Sequence, residues 1–478
     1  MTGKTPPADG TAPPDIAAAL KALQDALPGD ALVTDPDECA RAAQGARYGD
    51  GKAAFMVRPA TTAQLVSATR ICRAHAVPVL PQGANTGLVG DSTPDASGTQ
   101  AIVSLERLTE VFRVDLPNRS VTVSAGFRLS ELNRRLEPHG LTFPIDLGAD
   151  PSVGGMIATN TGGSRFIRYG DVRANLLALK LLPVNGQSDL LELSSAVRKD
   201  NSGLALKHLV AGSGHRLGII TEATLNLDYL PSQSATAMIA PAAEETLIDL
   251  VGALERRYGH LLTAVEAISA PAFAFAKSHL PELASPFHPE AFPPLALLVE
   301  LSSSLGAEDL NLQSCLETGL ADMYEKGLIE NGVMGRGNDF WAVRHALTEG
   351  ARAAGYVIGF DISVPRGAIT EFRRRAKGFV EQGLPGAIVA DFGHIGDGGL
   401  HFNVVCPFER PAERDQETIK SLRREIYDLV VLEFHGSFSA EHGIGPSNME
   451  YFHSYKAEPV KRLEDDITRL FSQEYPFA

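Results

Sequence analysis

From about residue 50 to residue 228 the chain is written in short β-type runs separated by glycine-bearing turns, and no other feature constrains its fold as much. The runs include FMV at 55–57, PVLPQG at 78–83, AIVSL at 101–105, LLALKLLPV at 176–184 and GIITEATLNL at 218–227. EVFRVD and SVTVSAG each alternate apolar and polar residues, and Pro117 and Asn118 between them predict a hairpin. Asn185 and Gly186 predict a second hairpin turn. Helices enter at identifiable stops and starts: one opened by Thr61 or Thr62, and one from Leu129 to His139 that ends at Gly140. Strand, helix, strand, loop is the expected local order.

Two of the turns carry more glycine than a connector needs. PQGANTGLVG at 81–90 follows a strand and has no Walker lysine, so it is not a P-loop; it reads either as a backbone cradle for a pyrophosphate or as a plain surface turn. PSVGGMIATNTGGSRFIRYGD at 151–171 sets Gly154, Gly155, Gly162 and Gly163 around Thr159, Asn160 and Thr161, which lets backbone approach something flat or phosphorylated. GSGHRLG at 212–218 resembles a dinucleotide fingerprint only superficially, because a β-type run follows it where that fingerprint needs a helix.

Pro231 and the Ala/Ser-rich stretch after it mark a boundary. Beyond it, helices alternate with strands: LALLVELSSS as a strand, a helix from about Asp339 to Ala354, YVIGFDISVP as a strand, and a helix around Ile369 to Glu381. The expected organisation is a disordered tail over 1–14, then three parts over 15–230, 231–430 and 431–478, the last helical apart from SAEHGIG. Asp15 is placed to cap a helix in which Ile16, Leu20, Leu23 and Leu27 recur at helical spacing.

The residues with chemistry cluster in GHIGDGGLHFNVV (393–405) and SAEHGIG (439–445). Alternation from Leu400 to Val405 puts His401 and Asn403 on one face of a strand and Phe402 and Val404 on the other. The turn Gly396, Asp397, Gly398, Gly399 can return His394 to the side of His401, and Glu441 would complete a His, His, Glu set suited to a divalent transition metal. His442 is the better candidate for general base, because imidazole as a group has an intrinsic pKa near neutrality. Arg344 and Thr348 share a helix face, where the guanidinium can clamp a carboxylate and the hydroxyl can add a hydrogen bond.

A net charge of -15 repels phosphate backbones and anionic headgroups, so nucleic acid is excluded as an expected partner. Cys39, Cys72, Cys315 and Cys406 are far apart and form no CxxC pair, which rules out a zinc ribbon and fits reduced, cytosolic thiols. The first fifteen residues lack the basic and apolar regions of a leader, and no run approaches eighteen apolar residues; a cytoplasmic protein, not integral to the membrane, is expected.

Together these segments resemble, over roughly residues 45–445, the FAD-linked oxidoreductases of the vanillyl-alcohol oxidase/p-cresol methylhydroxylase fold, in the branch of D-2-hydroxyglutarate dehydrogenase, D-lactate dehydrogenase and the glycolate oxidase FAD subunit. The resemblance rests on PQGANTGLVG, DPSVGGMIATNTGG, RYGDVRANLLALKLLPVNG, GIITEATL, GHIGDGGLHFNV and SAEHGIG in that order. It implies an α+β chain: a two-part FAD-binding domain, a substrate or cap domain with an antiparallel sheet, and a helical C-terminal segment packed back on the flavin.

By the same resemblance the FAD contacts are Pro81, Gly83, Ala84, Asn85, Thr86, Gly87 and Leu88, then Gly154, Gly155, Thr159, Asn160, Gly162 and Gly163, then Gly218, Ile219 and Ile220 through backbone. His394, His401 and Glu441 are implied ligands of a zinc-like divalent metal, with Asn403 beside the substrate, His442 near its hydroxyl, and Arg344 and Thr348 on its carboxylate. The 81–90 loop has no histidine where relatives with covalent flavin place one, so noncovalent FAD is expected. The chain departs from the pattern at Gly359, where the hydroxyglutarate branch has a lysine, at GSGHRLG in place of GSEGTLG, and after SAEHGIG, where Pro446, Ser447 and Asn448 replace the usual basic residue.

The expected reaction is oxidation of a D-2-hydroxy acid (D-2-hydroxyglutarate, D-lactate or similar) to the 2-oxo acid, with electrons leaving to a flavoprotein or quinone and a homodimer allowed for. Two other readings stand beside it. One is a noncatalytic FAD-binding subunit of a glycolate oxidase type assembly. The other is a metal-dependent hydrolase, which would leave both glycine-rich segments without a purpose.

Overall fold

A computed structural model describes residues 13–184, 190–336, 338–407 and 416–472. Residues 1–12 of the expected tail and the Asn185–Gly186 turn lie outside the described residues. The first helix spans Ile16–Ala26, and the Asp15 carboxylate accepts the Ala18 N–H at 3.0 Å as its cap. Its buried Leu23 packs with Phe55, Val57 and Ala101 of a four-stranded sheet.

In that sheet Ala53–Val57, Gln100–Ser104 and Val79–Gln82 run parallel, with Leu32–Val33 antiparallel at one edge. The parallel crossover is the helix Thr62–Ala74, capped by Thr61, so the expected strand, helix, strand order is observed. A five-stranded antiparallel sheet follows, ordered Phe112–Asp115, Ser120–Ser124, Gly218–Asn226, Leu176–Pro183, Leu191–Glu192. Its first two strands form the expected hairpin. Gly140, in the left-handed region at φ 66°, ends the short helical stretch after Leu129.

From Gln233 onward the strands belong to one antiparallel sheet: Ile329–Met334, Gln233–Pro241, Leu295–Ser303, Leu262–Ser269, Phe392–Gly393, Gly399–Pro407 and Gly355–Ser363, with Ile388–Val389 also paired to Gly399–Pro407. Both faces of its centre are buried. In Leu295–Ser303, Leu297, Val299 and Leu301 enter one apolar cluster while Ala296 and Leu298 enter another. The second cluster also contains Phe340, Trp341, Val343, Ala346, Leu347 and Ala351, one face of helix Asp339–Ala354. That helix lies against helix Ala270–His279 so closely that a β-carbon on Gly350 would come within 2.6 Å of Ala276.

The last helix, Glu458–Ser472, turns Ile467 and Phe471 against the core of the five-stranded sheet. The helix before it, Gly445–Tyr455, starts against the 81–90 loop, where the Ser447 N–H donates to the Val89 carbonyl at 3.3 Å. Among the described residues no helix is long and apolar enough to cross a membrane.

Candidate active site

A cavity of about 890 Å³ opens between the glycine-rich segments and the helix-covered face of the large sheet. That volume lies within the range of pockets for drug-sized ligands and cofactors. On one side it is lined by Pro81 and residues 83–89, by Gly154, Gly155, Thr159 and Gly163, and by Gly218, Ile219 and Ile220. On the other it is lined by Arg344, Thr348, His394, His401, Asn403, Glu441 and His442.

Asn160 and Gly162 are not on its wall. The Asn160 side chain turns away to donate to Asp171 Oδ2 at 2.7 Å and to accept the Arg173 N–H at 2.9 Å. Gly162 is wedged between the Phe166 ring and Glu441 Oε2, at 3.1 and 3.8 Å from an ideal β-carbon.

The glycine segments meet edge to edge. A β-carbon on Gly83 would stand 2.1 Å from Ser152 Oγ, the cap of the short helix Val153–Thr159, so any side chain there would fill the cradle. Gly83, Gly87, Gly154, Gly155, Gly163 and Gly218 leave backbone exposed along this wall, and Pro81, Ala84, Leu88, Ile219 and Ile220 add apolar surface. These properties fit an extended dinucleotide carrying a pyrophosphate and a flat ring system.

The opposite wall is built by strand parity. Successive residues of a strand face opposite sides, so Glu266, Glu300, Gly359, Asp361, His401 and Asn403 share the face whose neighbours Ala264, Ile268, Leu298 and Phe392 form the helix-covered cluster. Asp361 is directly opposite His401, and Gly359 directly opposite Asn403. Phe402 and Val404 point into the other cluster, as the alternation predicts.

His394 returns beside His401 through the glycine turn. Gly398 at φ 93° lets the Gly399 N–H reach the His394 carbonyl at 3.1 Å, and the two imidazole centroids are 5.2 Å apart. Glu441 Oε1 then lies 3.5 Å from His394 Nε2 and 3.4 Å from His401 Nε2. The His442 ring stacks on His401 with centroids 5.5 Å apart and planes 9° from parallel.

Three carboxylates hold this arrangement, none of them singled out by motif. Glu266 is fully buried and bridges His394 Nδ1 at 2.7 Å and Arg344 Nε at 2.5 Å. Burial alone would raise its pKa; the charges of His394 and Arg344 reverse that and bring it down to about 2. Asp361 Oδ2 accepts the backbone N–H groups of Glu441 and His442 at 3.0 and 2.8 Å, and stands 3.4 Å from His442 Nδ1. Glu300 accepts from Trp341 Nε1 at 2.7 Å and from Arg165 Nε at 2.9 Å, tying the second glycine segment to the large sheet. A lone glutamate inside LTAVEAIS or LALLVELSS, strands buried along their whole length, was the available signal.

Burial lowers His401 to about 4, despite the nearby Glu441 carboxylate. Burial also lowers His394, but Glu266 and Glu441 outweigh it and hold its pKa well above the usual histidine value. Burial would raise Glu441, yet the surrounding histidines keep it well below the usual carboxylate range.

Two donor sets share His401 and Glu441 here. Asp361, His401, Glu441 and His442 present ligand atoms within 4.8 Å of one another, and His394 adds a further Nε2. Asp361 is already committed to two backbone N–H groups, whereas His394 has its Nδ1 on a buried carboxylate and its Nε2 toward Glu441, the usual arrangement of a metal-ligating histidine. His394, His401 and Glu441 are thus a second candidate donor set beside that group.

Two family models match the chain. A family model described as FAD binding domain matches residues 53–188, and one described as FAD linked oxidases, C-terminal domain, matches residues 230–471. The chain is 31% identical over 446 residues to D-2-hydroxyglutarate dehydrogenase of Xanthomonas citri pv. viticola, covering 92% of this chain and 91% of that protein. It is 31% identical over 417 residues to the mitochondrial D-2-hydroxyglutarate dehydrogenase of Arabidopsis thaliana, covering 86% and 71%. It is 29% identical over 431 residues to D-lactate dehydrogenase of Anaerostipes hadrus, covering 89% and 88%.

Among solved structures, p-cresol methylhydroxylase with substrate bound superposes with a TM-score of 0.73 at 15% identity, covering 95% of this chain and 94% of that one. Alkyldihydroxyacetonephosphate synthase superposes with a TM-score of 0.71 at 18% identity, covering 98% and 87%. The fold is thus the α+β p-cresol methylhydroxylase type, and the protein is an FAD-dependent oxidoreductase. The chain belongs to the FAD-linked oxidase family.

Proposed function

We propose that this protein is a metal-assisted, FAD-dependent dehydrogenase that oxidises a D-2-hydroxy acid to the 2-oxo acid. One observation carries the reading. A carboxylate clamp (Arg344, Thr348), a donor triad (His394, His401, Glu441) and a candidate base (His442) line the same cavity as the glycine cradle for the flavin.

Arg344 meets the substrate carboxylate with its terminal nitrogens, because among the described residues only its Nε donates, to Glu266. Thr348, one turn further along the same face, adds a hydrogen bond, and Asn403 donates from the sheet side. His442 takes the hydroxyl proton at Nε2, since Asp361 stands against its Nδ1 and fixes the ring's orientation. A divalent ion held by His394 Nε2, His401 Nε2 and Glu441 Oε1 would acidify that hydroxyl. Noncovalent FAD supplies the acceptor for the hydride that leaves Cα, so the substrate loses one proton and one hydride.

Glu266 and Asp361 are positioning residues: the first holds the clamp and one imidazole together, the second holds the base and its loop. A flavoprotein or quinone as electron acceptor and a cytoplasmic location belong to the same proposal.

The test is anaerobic bleaching of the purified flavoprotein by D- and L-2-hydroxy acids. D-acids should bleach it and L-acids should not. Dialysis against a chelator should abolish bleaching without releasing the flavin, and zinc or manganese should restore it. Bleaching that survives complete metal removal would refute the metal's part, and no bleaching by any D-acid would refute the activity.

A further inference from the structure

Three arginines line the cavity, and two of them are already matched. Arg344 is paired with Glu266, and Arg352 with Glu349 at 3.1 Å. Arg47 has no carboxylate partner and makes no hydrogen bond among the described residues; its only partner is the Tyr48 ring, 5.4 Å from the guanidinium carbon. A half-buried guanidinium without an anion is costly to desolvate, and five N–H donors without acceptors suit a ligand that supplies them.

Its position is set by a missing side chain. A β-carbon on Gly359 would stand 1.8 Å from Arg47 Nη2 and 2.6 Å from its Cζ, so the guanidinium occupies the space that a side chain at 359 would take. Gly359 is directly opposite Asn403, two residues along the strand from Asp361, which is opposite His401. Directly opposed positions are about 5 Å apart at Cβ, and a two-residue step along a strand is about 7 Å. The guanidinium therefore lies beside Asn403, a short aliphatic chain's length from the reacting end.

The surroundings keep it there. Arg423 donates to the Gly359 carbonyl and to the Tyr48 hydroxyl, both at 3.1 Å, and lies over the Phe360 ring. Burial pushes the Arg47 guanidinium's pKa down; Tyr48 opposes this, and the nearby Arg423 and Arg352 charges add to it, as expected of a cation that lacks its counter-ion.

We infer that Arg47 binds a distal anionic group of the substrate, so that the enzyme prefers a 2-hydroxy dicarboxylate to a 2-hydroxy monocarboxylate. This rests on the dehydrogenase reading and adds the substrate class to it. The other anion destined for this cavity is the dinucleotide's pyrophosphate, and the test separates the two.

Flavin reduction in the holoenzyme is compared for D-2-hydroxyglutarate and D-2-hydroxyvalerate, which has the same number of carbons but no distal carboxylate. The native protein should favour the dicarboxylate in kcat/KM by tenfold or more, the order of one charge-assisted hydrogen-bonded pair. R47M should cut that preference at least tenfold, mainly by raising KM for the dicarboxylate. G359A, which pushes a methyl group into the guanidinium without changing any charge, should act in the same direction, and R47K should recover part of the preference.

The assignment is overturned if the native enzyme shows no preference or if R47M slows both acids equally. It is also overturned if R47M sheds flavin on gel filtration while the remaining holoenzyme keeps its preference, which would give Arg47 to the dinucleotide. If neither acid reduces the flavin, the dehydrogenase reading fails separately. Titration with glutarate, read from the flavin spectrum, then still tests the anion site: equal affinity in native and R47M protein overturns it, and tenfold weaker binding in R47M supports it.

Discussion

Replacing Glu266 with Gln keeps the side chain's shape and removes one buried charge, and the structure sets the size of the effect. The carboxylate bridges Arg344 and His394 with no exposure to solvent. Its pKa falls from an ordinary 4.5 to about 2, and at about 1.4 kcal/mol per tenfold change in protonation the folded state gains roughly 3 kcal/mol from the ionised form. The figure agrees with the ~3–5 kcal/mol cost of stripping one partner from a buried ion pair.

A depressed carboxylate contributes fully above its unfolded pKa and loses that contribution as pH falls through its folded value. The deficit of E266Q should therefore be complete at pH 7 and shrink as pH drops from about 4.5 toward 2. At roughly 1 °C per kcal/mol for a chain of 478 residues, calorimetry at pH 7 should show melting about 3 °C below the native protein. Because the clamp loses its anchor, KM for the hydroxy acid should rise as well. Melting within about 1 °C of native together with unchanged KM would refute the claim that this carboxylate organises both groups.

H442N should slow flavin reduction by about a hundred- to ten-thousand-fold while leaving the flavin spectrum intact, and normal stopped-flow kinetics would remove His442 as base. D391N strips the partner that Arg373 binds through Nε, both side chains being fully buried, and should cost about 3–5 kcal/mol in urea unfolding. Burial would raise the Asp391 carboxyl, but Arg373 holds it below its ordinary 3.8, so this contribution is present above that pH and lost below it; a D391N deficit constant with pH would contradict the pairing. G83V, whose first side-chain carbon would meet Ser152 Oγ at 2.1 Å, should yield protein that elutes from gel filtration without flavin absorbance; retained flavin would show that the cradle is elsewhere.

The readable parts of the chain are those whose cause is local. Helix Asp339–Ala354 could be bounded from its pattern, and the face shared by His401 and Asn403 follows from two-residue alternation alone. The glycine turn that brings His394 beside His401 spans few residues, so it too is visible in the string. The segment from Val153 to Thr159 shows the limit: its glycines announce close approach, but its two helical turns, and the outward turn of Asn160 at its end, depend on Ser152 and Asp171 being in place.

The amino-acid sequence by itself determined the class of elements, the two cradle segments, and which histidines could act, because periodicity, capping and glycine spacing are properties of neighbours. The tertiary structure decided what those groups are attached to. Glu266 lies 128 residues from His394 and 78 from Arg344, and Asp361 lies 81 from His442. Arg47 fills space left by Gly359, more than three hundred positions later in the chain. Such pairings depend on the register and order of an antiparallel sheet, where a one-residue slip would turn every one of these side chains to the opposite face. That register is a property of the whole sheet, which no single segment of the chain carries.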